Sequence, residues 1–243
     1  MSLDHIRIVL VEITHPGNIG AAARAMKTMG LSRLVLVKPK LFPCAEATAR
    51  AAGADDLLMN AQLFDNYEES IKDCHLVLGT SARTRSISWP LLTPRECAAK
   101  ALAIQGEIAI VFGREHSGLT NQELDFCHYM IQIPTNPHFT SLNVASAVQI
   151  LAYELKMTSD ELMVAQMNAS TENPSWHSLP ASTESVALFY QHLEQTLMEL
   201  EFLRPEKSQR LMRRLQRLFN RTQLIDSEVK ILRGVLTAIQ RKL

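Results

Sequence analysis

The chain has 243 residues, with 25 lysines and arginines balancing 25 aspartates and glutamates and a hydrophobic share of 47%. That length and balance exclude a disordered or collagen-like chain and a uniformly basic nucleic-acid binder; they allow one large domain, or one of about 150 residues with a smaller appendage. The four cysteines, Cys44, Cys74, Cys97 and Cys127, form neither a CxxC pair nor a dense disulfide framework. Asp4 and Arg7 come too early for a signal-peptide core, and no run of about 18 apolar residues occurs. The expectation is a soluble protein of the reducing cytoplasm with no membrane span.

From residue 6 to about 157, short β-branched runs alternate with alanine-rich stretches, the pattern of an α/β domain with a mainly parallel sheet. In chain order the spacing predicts strands at 6–12, 33–37, weakly at 57–60, then 75–79, 107–112 and 129–133, and helices at 19–29, 44–52, 67–73, 93–104, 120–126 and 141–157. Asn18 is placed to cap the first helix and Gly30 to follow its end. Residues 158–182 are rich in Ser, Thr, Asn, Glu and Pro and read as a linker, with a helical extension through Leu162 and Val164 open. Helical patterns over 183–203, 206–221 and 225–241 give a small all-helical C-terminal module, so the domains are 1–157 and 183–243.

The first loop, His15-Pro16-Gly17-Asn18-Ile19-Gly20-Ala21-Ala22-Ala23-Arg24, has GxxGxxA spacing rather than GxGxxG. The second strand runs into Lys38-Pro39-Lys40, where an NAD-binding unit needs an acid. NAD is thereby excluded, NADP less strongly. A tight turn with small residues for helix–sheet packing explains the glycines but not Arg24, set among alanines. Three later strands each end in a loop of small and polar residues: Gly79 to Ser86, Phe112 to Leu119, and Ile133 to Asn143. Ligands of open α/β sheets bind beyond the carboxyl ends of the strands, so together these loops suggest a pocket for a neutral heterocycle with a small polar tail.

Asn18-x-Gly20-Ala21-x-Ala23-Arg24, Phe112-Gly113-Arg114-Glu115-x-x-Gly118-Leu119, and Ile133-Pro134 followed by Ser141-Leu142-Asn143-Val144-Ala145 resemble, in order, the three motifs of the SPOUT (trefoil-knotted) RNA methyltransferases of the TrmH type. Gly79 to Arg83, Trp89-Pro90, Pro94 to Cys97, His192 to Leu197 and Ile231 to Gly234 extend the resemblance to a bacterial branch that methylates a ribose 2′-oxygen of C or U at tRNA position 32. The resemblance implies a deep C-terminal trefoil knot in the α/β domain, which no periodicity reveals and which is rare among proteins. It implies S-adenosylmethionine held by Thr80, Ser81, Ala82, Gly113, Glu115, Ile133, Thr140, Ser141 and Leu142, and a homodimer whose interface completes each active site.

For the chemistry, the resemblance singles out Arg24. A guanidinium keeps its proton in proteins, so Arg24 is expected to grip an RNA phosphate and orient the 2′-hydroxyl, whose proton leaves to that phosphate, to water or to Ser141. Asn18 and Asn143 either hold the loops or the hydroxyl, or, for Asn18, only cap the helix. Arg83 and Arg85 suit RNA phosphates or are solvated loop charges. No metal-ligand pair is present among the eight histidines.

The zero net charge is uneven: −1 over residues 1–157, −6 over 158–200 and +7 over 201–243. At about 100° per residue, Leu211, Met212, Leu215, Leu218 and Phe219 share one arc. Lys207, Arg210, Arg213, Arg214, Arg217 and Arg221 share the arc across from it. The cationic arc reads as a tRNA-backbone surface, against the alternatives of a plainly solvated face or a membrane-surface helix. Methylation at another ribose, or RNA binding without catalysis, stays open as the alternative function.

Overall fold

The computed structural model describes residues 2–82, 89–168, 180–203 and 208–242. The strands are β1 (Ile6–Val11), β2 (Arg33–Val37), β3 (Gln62–Phe64), β4 (Leu76–Thr80), β5 (Leu91–Leu92), β6 (Ile108–Phe112) and β7 (Tyr129–Ile131). They form one seven-stranded sheet in the order β3-β2-β1-β6-β4-β7-β5 with every pairing parallel. The helices of this domain are α1 (Pro16–Thr28), α2 (Ala45–Ala51), α3 (Asp55–Met59), α4 (Tyr67–Ile71), α5 (Pro94–Leu102), α6 (Asn121–Asp125) and α7 (Val144–Asn168).

The period-2 alternation of side chains divides the core. Ile6, Ile8 and Leu10 of β1 pack with Leu34, Leu36, Ile108, Ile110 and Phe112 beneath α1, α2, α5 and α7, while Val9, Val11, Val35, Val77 and Val111 pack beneath α4 and α6. Burial on both faces is why the central strands read as continuous apolar runs. Glycine matters most at Gly20, where an added Cβ would sit 1.9 Å from the Ala47 carbonyl oxygen, so the close crossing of α1 on α2 requires its absence.

Three sequence expectations change. Residues 57–60 are not a strand: Leu57 and Leu58 are buried on α3, whose first turn carries Asp55 and Asp56 at the favourable end of the helix dipole. The strand follows at β3, an edge of three residues with Gln62 and Leu63 exposed, too short to show a period-2 alternation. The two-residue edge strand β5 was not expected at all. Helix α7 starts later than position 141, because Asn143 Oδ1 accepts the Ala145 N–H at 2.9 Å, and it runs through Leu162 and Val164 to Asn168, well into the segment read as linker. An ion pair between Lys156 and Asp160 at 2.6 Å supports the extension.

The C-terminal module is all helical: α8 (Thr183–Glu199), α9 (Ser208–Thr222) and α10 (Asp226–Gln240). It has its own core of Val186, Phe189, Leu193, Met212, Val229 and Leu236, which among the described residues shares no member with the two clusters of the sheet domain. Phe189 meets Phe219 edge-to-face at 5.0 Å. Leu218, expected on the apolar arc of α9, is 46% exposed; Met212 and Phe219 fill the interface without it. No helix among the described residues is long and apolar enough to cross a membrane.

Candidate active site

The carboxyl ends of β4, β6 and β7 and the start of α7 surround a cavity of about 250 Å³. All nine residues expected to hold the cofactor line it: Thr80, Ser81, Ala82, Gly113, Glu115, Ile133, Thr140, Ser141 and Leu142. Phe112, Ile131, Val144 and Ala147 add apolar wall, and the exposed Thr140 to Leu142 stretch leaves one side open to solvent. Gly113 is required by the loop itself, since a Cβ there would lie 2.2 Å from the Gly118 carbonyl carbon.

The charged groups of the second loop are used internally. Arg114 donates through Nη1 and Nη2 to the two carboxylate oxygens of Glu123, both at 3.0 Å, and pairs with Glu12 at 2.7 Å. Glu123 in turn closes a capping box with Thr120 at the start of α6. Glu115 turns toward the first loop. Its carboxylate accepts the Thr14 N–H, the Thr14 hydroxyl at 3.0 Å, the His15 N–H at 3.1 Å and Asn18 Nδ2 at 3.0 Å. Partial burial pushes its pKa up, but the donors from His15, Asn18 and Thr14 outweigh burial and hold it at about 2.

This corrects the capping expectation for Asn18. Helix α1 begins at Pro16 with His15 at its N-cap, and no side chain of its own caps it; the charge at its N-terminus comes from Glu115. Asn18 is instead the middle of a chain of hydrogen bonds. Its Nδ2 donates to Glu115 and its Oδ1 accepts Asn143 Nδ2 at 2.9 Å, while Asn143 Oδ1 caps α7. Each of the three sequence motifs therefore contributes one member to a single network at the cavity mouth. Glu12, Thr14 and Glu123 were missed by sequence reasoning. The T-x-x-E spacing of Thr120 and Glu123 is a signal that finds the capping box, but it gives no hint of the reach to Arg114.

Arg24 lies on α1 six residues beyond Asn18 and is exposed. It is not among the residues lining the cavity, and its guanidinium has no partner among the described residues. Arg83 and Arg85 lie outside the described residues. On α9, Arg210, Arg214 and Arg221 are exposed, whereas Arg213 and Arg217 are partly covered by the sheet domain. Among the described residues no cluster of three or more His, Cys, Asp or Glu side chains is placed to hold a metal ion. Cys74, Cys97 and Cys127 are buried thiols, each pushed by burial up to about 12.

Comparison with known proteins places this geometry. The SpoU rRNA methylase family model matches residues 5–153, and the model of the C-terminal domain of the tRNA methyltransferase TrmJ matches residues 184–243. A tRNA (cytidine/uridine/adenosine-2′-O-)-methyltransferase TrmJ of Pseudomonas aeruginosa is 49% identical, covering 98% of this chain and 95% of the relative. The solved structure of TrmJ from Z. mobilis is 32% identical, with a TM-score of 0.82 over 96% of this chain and 98% of that one. That of a probable methylase family protein from Haemophilus influenzae is 45% identical, with a TM-score of 0.65 over 99% and 97%. The parallel sheet, the three-loop cavity and the helical module are thus those of the SpoU methylase family, and the chain belongs to it, on the TrmJ branch.

Proposed function

We propose that this protein methylates a ribose 2′-oxygen of tRNA, at cytidine or uridine, with position 32 of the anticodon loop as the target, using S-adenosylmethionine. The observation that carries the reading is the convergence on one cavity of three strand-end loops, two of which carry motifs of the family. The residues there fit the cofactor. With the Arg114 guanidinium and the Glu115 carboxylate both engaged by their own partners, the rest of the wall is neutral backbone, small hydroxyls and aliphatic side chains, suited to an adenosine, and the open side at Thr140 to Leu142 admits a zwitterionic tail. When bound, the cofactor supplies an electrophilic methyl group on a sulfonium.

The protein's own work is positioning. Thr80 Oγ1 donates to the Val111 carbonyl at 3.0 Å and the Ser81 N–H donates to the Ile131 carbonyl at 3.1 Å, which lock the first cofactor loop to its neighbouring strands. The Glu115–Asn18–Asn143 network locks the other two loops to α1. Arg24, always protonated, holds an RNA phosphate and orients the hydroxyl for in-line attack; the proton leaves to that phosphate, to water or by way of Ser141. Because Arg24 lies off the cavity of its own chain, a homodimer in which a second copy brings its Arg24 to this cavity is part of the reading, as is the trefoil crossing of the family.

Transfer RNA docks on Arg210, Arg214 and Arg221 of α9, with Arg83 and Arg85 as further phosphate-binding residues, and the protein acts in the cytoplasm. Phosphate contacts of this kind release counterions, so tRNA affinity is expected to fall steeply with added salt, and each α9 arginine removed lowers the salt slope by about 1. A salt response that is flat would refute the docking surface. A catalytically idle RNA binder is disfavoured by the intact network and by an exposed Arg24 that has no side-chain partner among the described residues.

A further inference from the structure

The cationic arc of α9 is divided by the fold. Arg213 Nε donates to Asp125 Oδ2 at 2.7 Å, at the end of α6, and Asn220 Nδ2 donates to the Asp125 carbonyl at 3.1 Å. One turn on, the Arg217 guanidinium lies 3.9 Å from the ring centroid of Trp89, which is 7% exposed and packs in the core under α4 and α6. These contacts hold α9, while Thr183 and Glu184 of α8 donate to the Cys74 and Lys72 carbonyls and Gln223 accepts from Lys100 and Tyr129; among the described residues the two modules share no apolar core. Between them the seam is loose: a cavity of about 340 Å³ lies against Asp125, Phe126, His128, Val186, Tyr190 and Asn220. An interface held by a few directional contacts and little packing takes its orientation from those contacts.

We infer that Arg213 and Arg217 are positioning residues: with Asp125 and Trp89 they fix the angle at which the tRNA-docking face of α9 meets the methyl-transfer site, and they do not contact the RNA themselves. This rests on the proposed methyltransferase reading and refines it, since it moves two of the five arginines of the arc from binding to orientation.

Asp125→Asn tests the division without touching a cationic residue. With the full chain and unmodified tRNA, the maximal single-turnover rate is expected to fall about tenfold because misplacement of a bound substrate costs rate. The tRNA Kd should stay within about twofold or tighten, since negative charge is removed. Asp125→Glu should restore most of the rate, and Arg214→Ala should show the opposite split, a weaker Kd with the rate retained at saturation. An Asp125→Asn protein that transfers at the wild-type rate overturns the inference and returns Arg213 to the RNA surface. Where the wild type itself transfers no methyl group, the methyltransferase reading fails separately, and the seam is read by fluorescence. In a Trp176→Phe background Trp89 is the sole tryptophan; Arg217→Ala should shift its emission to the red and Arg217→Lys should not. An unchanged spectrum in Arg217→Ala overturns the docking.

Discussion

Replacing Glu115 by glutamine keeps the shape of the side chain and removes its charge from the N-terminus of α1. The carboxylate has four donors around it, from Thr14 N–H and hydroxyl, His15 N–H and Asn18, and an amide can accept them through only one oxygen. An ordinary glutamate titrates near 4.3, and the gap to about 2 corresponds to about 3 kcal/mol of preference for the ionised form in the fold. The group is only partly buried, so screening reduces this to roughly 1–2 kcal/mol. Because the folded value lies below the unfolded one, the stabilisation is complete above about pH 4.5 and is lost as pH falls toward 2. Thermal melts of the wild type and Glu115→Gln should differ by about 3–6 °C at pH 7, and the difference should shrink by about half by pH 3. Equal melting temperatures at pH 7, or a difference undiminished at pH 3, would refute the electrostatic role given to this carboxylate.

Further outcomes follow from the same geometry. Arg24→Lys should lose about 100-fold in turnover while stability stays within about 0.5 kcal/mol, since the side chain is exposed and supports nothing in the fold; near-normal turnover would count against a bidentate grip. Gly20→Ala should cost roughly 2–4 kcal/mol in urea unfolding, because its Cβ would meet backbone of α2 at 1.9 Å rather than a side chain that can swing away. His128 is buried with Nδ1 accepting the Val77 N–H at 3.1 Å, and burial pushes its pKa down to about 4. Its folded value lies below the unfolded value of about 6.5, so stability present above pH 6.5 should drop by about 3 kcal/mol as pH falls to 4. His128→Asn, which keeps an acceptor for Val77, should flatten that window in unfolding measured at pH 7.5 and 4.5; an unchanged pH dependence would assign it elsewhere.

The sequence was informative wherever burial was two-sided or a local pattern closed on itself. Strands β1, β2, β4 and β6 announce themselves because both faces are covered, and α5 and α6 because Thr93 and Thr120 each precede a glutamate by three residues and form the capping box. Edge strands of two or three residues leave no such trace. The start of α1 was misread because Asn18 resembles a cap, while the real signals were Pro16 at the first helical position and a carboxylate 100 residues away from His15. The lining of the cavity was legible from the loops. The partners of its charged members were not, since Thr14 with Glu115 and Glu12 with Arg114 are joined only by the register of β1 beside β6. The wheel of α9 gave its cationic arc, but which arginines turn inward depends on where a separate domain presents Asp125 and Trp89.

Incubating the protein with methyl-labelled S-adenosylmethionine and unmodified tRNA, and mapping the label by nucleotide, reads the proposed methyl transfer itself. The expected result is a single 2′-O-methyl group on a cytidine or uridine at position 32 of the anticodon loop, and its loss in Arg24→Ala. Label on a base rather than a ribose, or no transfer by folded protein to any tRNA, would contradict it.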